Sequence, residues 1–305
     1  MFQAQKALFI YCVSPVHMGA GAAMGLIDNP IQRERHTDYP MMAGSGFKGA
    51  VRHRFQAEGW DKDLIARIFG PETNASEHAG AISFGDAQLV AFPVRCTRRA
   101  YVYATSPTAL ARMKRLLALT LADKALSLPD VNIEPGQCAI ANPDLLTGDG
   151  RDKLHLEAFE LQAVVNKNLM QISEWLASHA LPAGDAYAFF REKLKTDLVL
   201  LPDEDFGYFV KNATVVEPHV CIDNDTGAAK GTGLFYTENL PPESLLLAPL
   251  MATAERSGKG AMPAEEVLAA VLEGNERLKG LNGRLVQVGG DATTGRGQIV
   301  ITAVE

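Results

Sequence analysis

Apolar positions along this chain keep two different periods, and the stretches that keep neither stand out. The run KALFIYCV is apolar at consecutive positions, with Leu8 to Val13 at its heart. That predicts a strand covered on both faces, central in its sheet. Phe47, Val51 and Phe55 then recur at four-residue spacing, so a helix is predicted from about Ser45 to Ala57 with one core stripe. Ser45, Lys48 and Arg52 flank that stripe, whereas Arg54 falls within it and is expected to be partly buried and paired. GAISFGDAQLVAFPV and RAYVYATS read as paired strands. Ser106 and Pro107 then open a helix with Leu110, Met113, Leu117 and Leu121 inward.

From about Ser127 to Leu201 the pattern changes. SLPDVNIEPGQCAIANPDLLTGDGRD is rich in Pro, Gly, Asn and Asp and reads as irregular. One helix is predicted around Gln171 to His179 and another carrying Tyr187, Phe190 and Leu194, before an acidic turn from Pro202 to Asp205. NATVVEPHVCID and LFYTENL are strand-like runs joined by a glycine-rich tip, which predicts a long hairpin. A helix from Ala264 to Leu278 follows, then strand LVQV, the loop GGDATTGRG and strand QIVITAV. The alternation of strands and helices suits an antiparallel α+β sandwich of the ferredoxin-like or RRM type better than a doubly wound parallel sheet.

Composition narrows the class. The 305 residues are 47% hydrophobic, enough for a sizeable core. No apolar run reaches bilayer length and no charged-then-apolar leader opens the chain, so a cytoplasmic protein is expected. The four cysteines (Cys12, Cys96, Cys138, Cys221) form no CxxC pair, which argues against zinc or a disulfide scaffold. Cys12 and Cys221 lie in apolar runs and are expected to act as small hydrophobes. A net charge of −7 hides a basic tract from Phe92 to Arg115 without a single acid, carrying Arg95, Arg98, Arg99, Arg112, Lys114 and Arg115 around Tyr101 and Tyr103. Such a tract can meet phosphates, although a solvated strand edge and helix face is the plainer account.

The stretch from His17 to Met42 is a long connection with glycines near its start and one acid, Asp28, among apolar neighbours. Loops of this length inside a domain are usually functional. Gly19 to Gly25 is no dinucleotide fingerprint, because Pro30 follows and no apolar helix opens at the glycines. GGDATTGRG lacks the Gly-Lys-Ser/Thr of a phosphate-binding loop, no HExxH or GxSxG occurs, and Asp223 with Asp225 lacks the remaining ligands of a calcium loop. What remains is phosphate geometry. Gly44, Ser45 and Gly46 open a helix whose free amides, with Lys48 and then Arg52, can make an anion seat, although a small-residue helix entry followed by a lysine also occurs by chance. The terminal loop from Gly289 to Gly297 also lets backbone amides approach a ligand. Asp28 by itself is more readily a turn former than a functional acid, and His17 is a core histidine or a phosphate contact. His36 and His53 have weaker claims.

Taken together these residues resemble the RAMP superfamily, and within it the backbone subunit (the fourth subunit) of type III-B CRISPR effectors, the Cmr complex. The resemblance rests on Pro15 to Gly21, on IDNPIQRERHT, on Pro40 with Gly44 to Gly49, on Gly233 to Glu243 (GLFYTENLPPE) and on Gly289 to Gly297, so it spans the chain. It implies an RRM-like palm (1–126 and 246–305) with an inserted helical or irregular lid (127–205) and a projecting β-hairpin thumb (206–245). It implies a filament of copies along one CRISPR guide RNA, beside other Cmr subunits, each copy cleaving the target RNA once. Asp28 takes the place of the family's cleaving aspartate. His17, Gly44, Ser45, Gly46, Lys48 and Arg52, with Gly290, Gly295, Arg296 and Gly297, take the guide-binding role. A divalent metal, Mg²⁺ or Mn²⁺, would act beside Asp28, since hydrated Mg²⁺ needs few protein ligands. Gly46-Phe47 departs from the family's usual second serine and aliphatic residue. The alternatives are a non-catalytic structural subunit of the same fold and a stand-alone guide-processing ribonuclease using a histidine such as His17.

Overall fold

The computed structural model describes residues 2–74, 76–121, 128–134, 136–258, 260 and 262–304. The first apolar run becomes β1 (Ala4–Cys12), buried without interruption from Ala7 to its end. Successive side chains leave opposite faces of a strand, so Leu8, Ile10 and Cys12 enter one core while Ala7, Phe9 and Tyr11 enter a second.

After β1 come β2 (Met41–Met42), α1 (Gly44–Ala57), α2 (Lys62–Phe69), β3 (Ile82–Phe84), β4 (Ala87–Arg95), β5 (Tyr101–Thr105) and α3 (Pro107–Thr120). The middle of the chain supplies β6 (Gln137–Ile140), β7 (Lys153–Leu156), β8 (Phe159–Val165), α4 (Lys167–His179), α5 (Ala188–Thr196), β9 (Leu198–Leu200) and α6 (Asp203–Asn212). The last third holds β10 (Val215–Ile222), β11 (Ala229–Asn239), β12 (Leu245–Ala252), α7 (Ala264–Leu272), β13 (Leu285–Gln287) and β14 (Gln298–Ala303).

Among the described residues the main sheet runs β13-β14-β1-β12-β4-β5-β9-β6-β8-β7, with β10 and β11 forming a hairpin of their own. β1 is antiparallel to both neighbours, β12 and β14. Helices α1, α2, α6 and α7 cover the face of Leu8 and Ile10, and α3, α4 and α5 cover the face of Phe9 and Tyr11. This is the mixed α+β architecture expected of the chain.

The predicted stripe Phe47, Val51 and Phe55 is wholly buried, and Ser106 caps α3 by accepting from Ala109 N at 3.2 Å. Arg54 is partly buried, pairing with Glu58 at 2.8 Å.

Three segments differ from the expectation. The segment expected as an inserted lid is built into the sheet: β6, from the Pro/Gly/Asn-rich stretch, and β7 to β9 after it extend the sheet beyond β5, with β9 parallel to β5. The boundary expected at 126/127 lies outside the described residues. The acidic turn at 202–205 is the first turn of α6, where Pro202 is the N-cap and Asp203, Glu204 and Asp205 complement the helix dipole. The predicted 206–245 thumb therefore opens inside α6, and its hairpin starts at Val215. Finally α7 stops at Leu272, just before Gly274 at φ +90°, and Cys221 is exposed on the hairpin rather than packed.

Candidate nucleic-acid interface

The connection between β1 and α1 is held by the edge of β11. Asn29 N donates to Tyr236 O at 3.0 Å, and Glu238 N donates to Asn29 O at 3.0 Å. Glu238 is the anchor beneath this seam. Its carboxylate, 2% exposed as a residue, accepts from Arg33 Nη2 (2.6 Å), Thr214 Oγ1 (2.8 Å) and Ile31 N (3.0 Å). A buried carboxylate is tolerated only when so paired. Arg33 in turn donates to Asp38 O and Val210 O, which ties the loop to the end of α6. Farther along, Glu34 accepts from Arg112 of α3 at 2.6 Å.

On this seam Asp28 is fixed in an unusual way for a loop aspartate. Its Oδ2 accepts from Tyr236 N at 2.7 Å, a partner 208 residues away, instead of capping its own turn. Its Oδ1 takes no hydrogen bond among the described residues. The carboxylate is half-buried at the root of the hairpin, with Met24 and Leu26 almost wholly exposed beside it in sequence.

His17 meets the same strand farther along it. Its Nδ1–H donates to the Glu238 carbonyl at 2.7 Å, which leaves Nε2 without a proton when the ring is neutral. Gly290 N donates to His17 O at 2.9 Å, and Gly297 N donates to Pro15 O at 2.8 Å. Gly289, at φ +69°, leaves no room for a Cβ, which would collide with the His17 carbonyl. The terminal glycine loop is thus built onto the exit of β1, and His17 and Gly290 meet as predicted residues of one surface.

The start of α1 is partly occupied. Gly44 N donates to Asp86 Oδ1 at 2.8 Å, and Gly44 is buried against Phe84, so its amide is spent on the fold. Ser45 and Gly46 are exposed, with Gly46 beside the Met18 side chain. Lys48 Nζ donates to Ile82 O at 3.0 Å, and burial, followed by the neighbouring Arg52 charge, lowers its pKa. Arg52 lines a cavity of about 550 Å³ towards α2, with Gln56, Trp60, Lys62 and Glu72. Arg296 is turned inward to pair with Glu217 of β10, its side chain 12% exposed, while Gly295 is open at the loop tip.

Much of the basic tract is spent within the fold. Arg112 pairs with Glu34, Lys114 with Asp130 at 2.8 Å, and Arg99 with Asp197 at 3.7 Å. Sequence reasoning did not single out Glu238, Arg33, Asp86 or Glu217. The first two lie inside the phrases LFYTENLPPE and IDNPIQRERHT, but no local signal marks them as partners.

A family model described as the RAMP superfamily matches residues 9–300. The chain belongs to this superfamily. It is 32% identical to the CRISPR system Cmr endoribonuclease Cmr4 of Pyrococcus furiosus, over 97% of this chain and 94% of that protein. The crystal structure of oligomeric Cmr4 from Pyrococcus furiosus superposes with a TM-score of 0.74 at 26% identity, covering 99% of this chain and 98% of the other. A chain of the type III-B Cmr-beta complex bound to cognate target RNA shares the fold, with a TM-score of 0.73 at 20% identity over 99% and 98% of the two chains.

Proposed function

We propose that this chain is a guide-RNA-binding filament subunit of a type III-B CRISPR effector, an endoribonuclease that cuts complementary target RNA once per subunit in the assembled complex. The observation that carries this reading is the fixing of Asp28 to the Tyr236 amide. It holds one carboxylate oxygen still and leaves the other open at the root of a projecting hairpin.

Guide recognition independent of sequence has to read backbone rather than base edges. The open amides of Ser45 and Gly46, the glycine loop from Gly289 to Gly297 and the His17 ring offer that chemistry. RNA brings its own nucleophile. The 2′-oxygen attacks the adjacent phosphorus, the bond to the 5′-oxygen breaks, the departing oxygen takes a proton from water, and the products are a cyclic phosphate and a 5′-hydroxyl. The chain's part is to hold the strand in line and to take the 2′-hydroxyl proton at Asp28 Oδ1.

No group of three or more His, Cys, Asp or Glu able to hold a metal occurs among the described residues. The donors fit only a mostly hydrated ion, with Asp28 as its one protein ligand. Such a Mg²⁺ or Mn²⁺ would supply charge neutralisation at the phosphate. None of the described helices is long and apolar enough to cross a membrane, and we assign the complex to the cytoplasm.

The test is reconstitution with guide and complementary RNA, comparing wild type with Asp28→Ala, each with and without EDTA. Loss of cutting in the variant, with guide still bound, supports the reading. Undiminished cutting by Asp28→Ala makes the chain a structural subunit. Cutting that survives EDTA removes the metal.

A further inference from the structure

The glycine-loop arginine is already holding an acid. Arg296 pairs through Nη2 with the Glu217 carboxylate on β10, and its side chain is about nine-tenths buried at 12% exposure. Its Nε and Nη1 are both buried and have no hydrogen-bond partner among the described residues. A guanidinium offers a planar fork that a carboxylate or a phosphate normally fills from two nitrogens. Here one nitrogen is used and two are orphaned, and orphaned buried donors ask for an acceptor that the folded chain does not provide. Glu217 itself is a third exposed and has no other ion pair among the described residues.

The arrangement spans the interface described above. Arg296 lies in the loop whose Gly290 and Gly297 amides bond His17 and Pro15. Glu217 pairs in register with Thr237, next to the Pro218–Tyr236 pair whose Tyr236 amide holds Asp28.

We propose that Glu217 is an internal phosphate surrogate: it neutralises Arg296 in the RNA-free chain and gives way to a backbone phosphate of the bound strand. A phosphate fills the fork that the carboxylate leaves half used. The two anions repel on one cation, so Glu217 leaves as the phosphate arrives. Glu217 is a third exposed and can turn into solvent as the phosphate takes its place, so the exchange sets affinity rather than blocking binding. This inference rests on the guide-binding reading of the glycine loop, and its test separates the two.

The experiment titrates a fluorescein-labelled single-stranded RNA of mixed sequence onto the purified chain and onto Glu217→Gln, Glu217→Asp, Arg296→Ala and the Glu217→Gln/Arg296→Ala double variant. Thermal melts show that each is folded. The expected result is binding tightened by about twofold to fivefold in Glu217→Gln, the size of losing one partly exposed competing carboxylate. Glu217→Asp, which keeps the charge, stays near wild type. The gain vanishes when Arg296 is also removed. Glu217→Gln binding no tighter than wild type, while Arg296→Ala weakens binding, overturns the surrogate and leaves the loop as an RNA seat. No change in any variant overturns both.

Discussion

Glu238 and Asp28 are carboxylates on the two sides of one seam, and burial gives them opposite jobs. Glu238 is sealed at 2% exposure with Arg33, Thr214 and the Ile31 amide on its oxygens. Glu238→Ala leaves the Arg33 guanidinium buried and unpaired, and unfolding in urea is expected to show a loss of about 3–5 kcal/mol. An unchanged midpoint would mean that the loop does not depend on this anchor. Asp28 keeps an open oxygen, so Asp28→Asn preserves its shape and its backbone bond while removing the base. Target cutting is expected to fall by at least about a hundredfold with melting temperature unchanged. Glu243, at φ +70° in the turn before β12, is a third case, since burial raises its carboxyl from 4.5 to about 7. Protonation is easier in the folded chain than in the unfolded one. Its contribution is therefore most favourable below pH 4.5 and declines as pH rises to about 7. Melting curves should show Glu243→Gln more stable than wild type at pH 8 and equal to it at pH 4. Equal stability at both would contradict the burial assigned to this group.

At the scale of elements, what could be read beforehand was what is written locally. The α1 stripe needs only the spacing of Phe47, Val51 and Phe55, and the α3 start needs only Ser106 before Pro107. β1 was legible because a strand covered on both faces is apolar throughout. α6 was hidden because Pro202 and three acids read as a turn until Phe206, Phe209 and Val210 are counted as its buried side. β6 and β9 were hidden because short strands draw their stability from partners far along the chain, here each other and β5. The same limit applied to the site. Asp28, His17 and the glycine loop were singled out by residue type, but Tyr236 and Glu238 hold the first two, and His17 and Pro15 hold the loop, each across more than 200 residues. Gly289 illustrates the consequence: Gly289→Ala would push a Cβ into the His17 carbonyl at a positive φ. RNA binding should weaken in that variant even though α1 and its Ser45 and Gly46 amides are untouched. Full affinity would show that the loop contributes nothing to the RNA seat.

Across the whole molecule, the large sheet with helices on both faces is the body, and the β10–β11 hairpin forms a separate two-stranded sheet. One face of that hairpin carries Val216, Val220, Leu234 and Tyr236, all exposed, and the chain's apolar loop residues Met24 and Leu26 project near the same root in sequence. A body with open backbone amides at its surface, beside an arm whose apolar face lies open, suits the proposed subunit that repeats along one strand. The Asp28 carboxylate sits where body and arm join, because β11 supplies the amide that holds it. The most direct test is therefore site-resolved cutting of a complementary target by complexes reconstituted with wild-type or Asp28→Asn chains at matched guide occupancy. The account predicts a ladder of regularly spaced products from the wild type and intact target from the variant. The same ladder from both would contradict it.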